Sequence, residues 1–128
     1  MATVDELLAL ARARLVRVSP TAAAARRRAG ALLVDLRLID QRAADGSVPG
    51  ALILSLNHLE WRLDPNSPDR IEQARDHDVD IVLLCDEGYC SSLAAARLLD
   101  LGLHRATDVD GGFQAWRAAG LPVEQSAE

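Results

Sequence analysis

Residues 81–99 read IVLLCDEGYCSSLAAARLL: four apolar residues, a cysteine, a short polar loop, a second cysteine and an alanine-rich run. The run "DIVLLC" at 80–85 is continuously apolar rather than alternating, which suits a strand buried on both faces of a parallel sheet. "SSLAAARLLDLG" reads as the following helix, with Ser91 or Ser92 as its cap and Gly102 as its stop. Two further runs of the same kind, "ALLVDL" at 31–36 and "ALILSL" at 51–56, predict companion strands, and "ATDV" at 106–109 a last short one. Connecting segments carry turn-forming residues, as in "RLIDQRAADGSVPG" and "LDPNSPDR".

Helical signals fill the ends of the chain. Val4, Leu7, Leu8, Ala11 and Leu15 fall on one side of a helix, and Thr3 with Glu6 completes a capping box. "SPTAAAARRRAG" predicts a second helix, capped by Ser19, opened by Pro20 and ended at Gly30. Its Arg26, Arg27 and Arg28 lie where positive charge suits a helix C-terminus. "GGFQAWRAAG" predicts a final helix with Phe113 and Trp116 in the core, and "LPVEQSAE" a tail. Strand and helix alternate, so the fold class is α/β with a mostly parallel sheet.

The chain has 128 residues, 49% apolar and 26% charged, which fits one soluble domain spanning 1–128 with its core at about 18–123 and an N-terminal helix over 3–15. Aromatics are 3%, so Leu, Val, Ile and Ala must build the core. A formal charge of −5 argues against a nucleic-acid partner, which would need a basic stripe. No segment has the apolar length of a membrane span, and the N-terminus lacks the apolar core of a signal peptide. A cytoplasmic setting is expected, in which thiols stay reduced. His58, His77 and His104 show no ligand spacing with the cysteines, so no metal is expected, and no nucleotide-cradling glycine loop is present.

Attention therefore falls on Cys85. It ends a strand at the carboxyl edge of a parallel sheet, where ligands bind, and faces the N-terminus of the next helix. Backbone N–H groups of a tight turn containing Gly88 can form an anion nest, favouring thiolate over thiol. From position alone a small buried hydrophobe is an equal reading, because free cysteine is among the most buried residue types.

"LLVDLR", "GSVPGALILSL", "IVLLCDEGYCSS" and "DVDGGFQAW", in this order, resemble the rhodanese family of sulfurtransferase domains over nearly the whole chain, from about Val18 to Val123. The resemblance implies a parallel five-stranded sheet with helices on both faces. It implies that Cys85 is the nucleophile of a loop completed by Asp86, Glu87, Gly88, Tyr89 and Cys90, with N–H groups through Ser91 cradling the substrate anion. The implied chemistry takes sulfane sulfur from a small donor (thiosulfate, a polysulfide or a persulfide) as a Cys85 persulfide and passes it to a thiol acceptor. No cofactor is implied. Asp35 and Arg37 resemble the family's Asp-x-Arg element, Asp35 as structural support and Arg37 as either support or substrate contact. "VPGA" at 48–51 resembles its turn into a strand.

This chain departs from the family where basic residues often follow the cysteine. Asp86, Glu87 and Cys90 stand there instead, and two carboxylates oppose thiolate formation and repel thiosulfate. Weaker thiosulfate activity is expected, with a neutral, cationic or protein-borne donor favoured. Arg37, Arg42 and Arg62 are candidates to restore positive charge, with Trp61 and Arg62 as walls of the pocket and Arg62 the preferred external anion contact. Cys90 has two readings, a small side chain tucked under the helix start or a resolving thiol.

Other functions fit less well. A cysteine phosphatase or arsenate reductase needs an arginine at the position of Ser91 to clamp an oxyanion. A thiol–disulfide oxidoreductase needs a narrower cysteine pair. A non-catalytic, regulatory domain binding a protein partner remains the alternative from a different class.

Overall fold

The computed structural model describes residues 1–125, leaving 126–128 of the tail outside the described residues. The elements run α1 (Val4–Ala13), α2 (Pro20–Arg28), β1 (Leu32–Asp35), α3 (Ile39–Asp45), β2 (Leu52–Ile53), a 3₁₀ turn (Leu56–His58), α4 (Leu59–Leu63), β3 (Ile81–Leu84), α5 (Cys90–Asp100), β4 (Thr107–Asp108) and α6 (Gly112–Ala118). The sheet is parallel throughout, in the order β2-β1-β3-β4.

Continuous apolarity in β3 has a simple cause. Ile81, Leu83 and Cys85 pack into one core with Val34 of β1 and residues of α4 and α5. Val82 and Leu84 point the other way, into a second core with Leu33, Ala23 and Ala24 of α2, and Phe113 and Trp116 of α6. Side chains alternate across a strand, and here both faces are covered. Cys85 thus shares the parity of Ile81 and Leu83 and faces α5.

The sheet has four strands among the described residues rather than the expected five. A fifth exists only in embryo: Val18 makes a parallel bridge to Val109, bonding through its N–H to the Asp108 carbonyl and through its carbonyl to the Asp110 N–H. Ser19 caps α2 and Pro20 has no N–H, so pairing stops after one residue.

Three other local expectations change. The segment 39–45, read as part of a connection, is a helix whose first turn is closed by Gln41 bonding back to the Leu38 N–H. Ser91 and Ser92 do not cap α5; Tyr89 holds the cap position, and both serines are buried in the first turn. The α1 capping box forms, but Val4 and Leu7 are exposed, and only Ala11 of its apolar face is fully buried. None of the helices is long and apolar enough to cross a membrane among the described residues.

The strand order reverses between β1 and β3, and such a switch point opens a crevice beyond the carboxyl ends of the two strands. α6 closes its floor: Phe113 N–H donates to the Cys85 carbonyl at 2.8 Å and Gln114 N–H to that of Asp86 at 3.0 Å. Gly112 makes this approach feasible, since it sits at φ +61° and a Cβ there would collide with the Cys85 carbonyl and come within 2.8 Å of Asp86. Gly112→Ala is expected to cost about 2 kcal/mol or more of stability; thermal unfolding that matches the wild type would show that the floor yields.

Candidate active site

Cys85 follows the last residue of β3, and the chain then turns through 86–89 into α5. The turn depends on Gly88, at φ +87°, where any Cβ would meet the Gly111 N at 2.9 Å and Arg17 at 3.1 Å. With that turn made, the Gly88 N–H donates to Cys85 Sγ at 3.1 Å. Ser91 Oγ lies 3.2 Å from the same sulfur. In the thiol form, Cys85 donates to Ser91, which donates to Asp108 Oδ2 at 2.7 Å. Once the proton is lost, the Ser91 hydroxyl can rotate toward the sulfur, because Asp108 keeps other donors.

The electrostatics favour thiolate. The Cys85 thiol is lowered to about 5, first by the hydrogen bond from the Cys90 thiol, and then by the Ser91 hydroxyl and the N–H groups of Ser91 and Gly88, while burial opposes them. Cys90 moves the opposite way: its proton is held by the Cys85 thiolate, and burial and the thiolate's charge add to the rise. The first residue of α5 is therefore the proton donor and the strand-end residue the anion.

Behind the loop, two arginines from the N-terminal segment converge on one carbonyl. Gly88 O accepts from Arg12 Nη2 at 2.7 Å and Arg17 Nη2 at 3.0 Å. In a trans peptide the N–H points opposite to the C=O, so anchoring this carbonyl from behind turns the Tyr89 N–H to the front. Arg17 also binds Asp108 through Nε at 2.9 Å and Nη2 at 3.1 Å, and Asp108 is completely buried. Burial lowers the Arg17 pKa, but its bond to Asp108 and the charges of Asp108, Asp110 and the Cys85 thiolate raise it on balance. The positive charge that the loop itself lacks thus comes from behind. Neither arginine nor Asp108 stood out in the sequence; no local pattern marks two arginines more than seventy positions from the loop carbonyl they hold.

Cys85 is only 5% exposed, yet it lines a cavity of about 630 Å³ together with Arg37, Arg42, Asp86, Glu87, Tyr89 and Cys90. Leu36, Leu38, Ile39, Ile53, Leu54 and Leu56 make most of the remaining wall apolar, with Gln41, Ser55 and Asn57 as its polar members. A larger hollow of about 970 Å³ lies at the amino ends of β1 and β4, but its charges largely pair with one another, as in Arg26 and Arg105 with Asp80 and His104 with Asp78.

The residues expected at the site separate into groups. Asp86, Glu87, Tyr89 and Cys90 reach the cavity, and Gly88 and Ser91 sit beneath the sulfur. Asp86 is turned toward α6, where Gln114 donates to its carboxylate at 3.0 Å. Arg37 lines the cavity; its guanidinium bonds Asp35 at 2.9 Å and the Gly46 carbonyl at 2.9 Å and lies over the face of Phe113 at 3.7 Å, while its buried Nη1 has no hydrogen-bond partner. Arg42 donates to the Arg37 carbonyl at 2.6 Å. Arg62 is not at the site: it bonds the Asp69 carbonyl at 2.8 Å and lines a separate hollow with Trp61, so neither walls the cavity. The cause is the register of α4, which buries Leu59 and Leu63 and turns 61 and 62 outward. Cys90 is exposed rather than tucked under α5, because Ser91 and Ser92 take the inward positions and both bond Asp108.

The Rhodanese-like domain family matches residues 19–119. A thiosulfate sulfurtransferase GlpE from Stutzerimonas stutzeri (strain A1501) is 37% identical over 102 residues, covering 79% of this chain and 84% of that protein. A sulfurtransferase from Allochromatium vinosum is 34% identical over 92 residues, covering 72% and 77%. A solved structure from Rhodopseudomonas palustris CGA009, a protein of unknown function described as a possible tyrosine phosphatase, superposes with a TM-score of 0.86 at 31% identity, covering 97% and 96%. The polysulfide-sulfur transferase homodimer of Wolinella succinogenes shares the fold, with a TM-score of 0.75 at 23% identity over 94% of this chain and 86% of that one.

Alkylation tests the thiolate. Its rate at Cys85, followed by peptide mass after iodoacetamide, is expected to rise with pH to half its plateau near 5, whereas an ordinary cysteine reaches that point near 8.5. Arg12→Met should move the midpoint upward by loosening the Gly88 peptide. A wild-type midpoint in the ordinary range would contradict the arrangement.

Proposed function

Because the chain belongs to the rhodanese-like domain family, we propose that it is a sulfurtransferase that carries sulfane sulfur as a persulfide on Cys85. The observation that supports this most directly is a sulfur atom at the switch point of the sheet, holding a Gly88 N–H at 3.1 Å, its thiol pKa lowered to about 5, and lining a cavity.

In the first half of the reaction the Cys85 thiolate attacks the terminal sulfur of a donor. The S–S or S–SO₃ bond of the donor breaks, and its remainder leaves as a thiolate or as sulfite. The loop N–H groups then face the outer, anionic sulfur, as donors fixed before the charge arrives. In the second half an acceptor thiolate attacks that outer sulfur and Cys85 departs. A thiol with a low pKa leaves faster, so the features that make Cys85 reactive also make it a good leaving group.

The cavity wall bears on the donor. Its two arginines are buried and bonded to protein groups, Arg37 to the Asp35 carboxylate and Arg42 to the Arg37 carbonyl, two carboxylates stand at the mouth, and Tyr89, Leu38, Ile39 and Ile53 are exposed around it. This rim suits an organic persulfide or thiol better than a small dianion. The name of the R. palustris relative raises phosphate-ester cleavage as a second reading. Here the position that would clamp phosphate is Ser91, whose hydroxyl serves a buried carboxylate, so the surroundings oppose a phosphate dianion. Use of the fold only to bind a protein partner would leave the lowered thiol pKa without a purpose.

Exposure of the protein to thiosulfate and, separately, to cysteine persulfide should add one sulfur atom to Cys85, read by intact and peptide mass. Cys85→Ser should gain none and lose transfer activity to background. A Cys85→Ser protein as active as the wild type would end the proposal. Glu87→Lys should raise kcat/KM for thiosulfate about three- to tenfold, with little change for the organic donor. The gain should shrink in high salt, because the added charge is exposed.

A further inference from the structure

Cys90 differs from its neighbours in α5. The inward positions are filled by Ser91 and Ser92, while Cys90 is exposed and borders both the Cys85 cavity and an apolar groove between α1 and α5 lined by Leu7, Leu10, Leu56 and Leu93. Its thiol lines the same cavity as Cys85, at the other end of the turn that contains Gly88.

We propose that Cys90 is a resolving thiol that turns the Cys85 persulfide into an intraloop disulfide and releases sulfide when no acceptor occupies the cavity. The inference rests on the persulfide reading above. The atom attacked is the inner sulfur, Sγ of Cys85. A bond forms between the two Sγ atoms and the bond from Cys85 Sγ to the outer sulfur breaks. The electron pair leaves on the outer, anionic sulfur, which takes the proton released by Cys90 and departs as hydrosulfide, HS⁻. No oxidant is consumed, since the sulfane sulfur is itself reduced. An external dithiol then restores both cysteines, reaching the disulfide through the exposed Cys90.

The loop's own electrostatics time this step. While Cys85 is a thiolate, it holds the Cys90 proton and keeps Cys90 unreactive. Once Cys85 Sγ is bonded to a second sulfur, it has lost its charge and no longer holds that proton. The same N–H groups that stabilise the outer sulfur stabilise it as a leaving anion. The bond, near 2.0 Å in length, joins the two ends of the glycine-containing turn, and the residue that moves to form it is the exposed first residue of α5. The net result is a persulfide reductase activity, cysteine persulfide plus a dithiol giving cysteine, sulfide and a disulfide.

The test uses reduced full-length protein, freed of reductant and given one equivalent of cysteine persulfide without acceptor. The wild type should release about one sulfide per chain, lose both free thiols and yield a Cys85–Cys90 linked peptide. Cys90→Ser, which keeps a hydrogen-bond donor at the position, should hold the added sulfur on Cys85 at least about tenfold longer and release little sulfide. Circular dichroism confirms that the variant is folded. If the wild type keeps its added sulfur as long as Cys90→Ser does, or carries it on Cys90, the resolving step is wrong while the persulfide on Cys85 stands. If neither protein takes up sulfur on Cys85, the persulfide reading falls and the resolving step with it.

Discussion

Asp108 is a carboxylate with no exposure to water, and much of the site hangs from it. It receives the two Arg17 nitrogens at 2.9 and 3.1 Å, Ser91 at 2.7 Å and Ser92 at 2.8 Å. A buried charge of this kind is costly unless its partners are all in place, so the carboxylate enforces a single geometry on the elements that supply them. Those elements are the segment before α2 and the first turn of α5. The arginine in turn grips the Gly88 carbonyl, and Gly88 presents its N–H to Cys85. A chain of polar contacts therefore runs from β4 to the reactive sulfur.

This arrangement resolves an apparent contradiction in the loop. Asp86 and Glu87 beside a thiolate should raise its pKa, yet Cys85 is lowered to about 5. Distance and direction decide the outcome. The carboxylates line the cavity mouth, and Asp86 is drawn toward Gln114, whereas hydrogen-bond donors touch the sulfur itself. Short contacts in a partly desolvated site outweigh charges that water can screen. Acidity at the mouth then acts on the approaching donor more than on the nucleophile, which separates substrate preference from thiol activation.

The same separation governs the two cysteines. They are five positions apart at opposite ends of the turn, one 5% exposed and the other open to solvent. Proximity alone would make them equivalent thiols. The N–H groups of the turn and the serine below favour charge on the strand-end residue, and the shared proton stays with the residue at the helix start. A loop of this length can thus hold a nucleophile and its proton donor without any third side chain above the sheet.

Local sequence determined what depends on local forces. Continuous apolarity marked β1 and β3, the capping residues marked α1 and α2, and Gly88 after a strand-end cysteine marked the turn, because each reflects backbone conformation or burial within a few residues. The family's element order in turn identified the fold. Tertiary structure decided which side chains meet. Arg12, Arg17 and Asp108 lie far apart in the chain and converge only when α1 and β4 pack beside α5, while Arg62, close to the mouth by analogy, is turned away by two buried leucines. Among the described residues fewer than five strands form because one proline ends an edge pairing, and Cys90 faces the cavity because two serines satisfy a buried carboxylate. Partners of a buried charge are chosen by where the folded chain places them, and no pattern along the sequence records that distance.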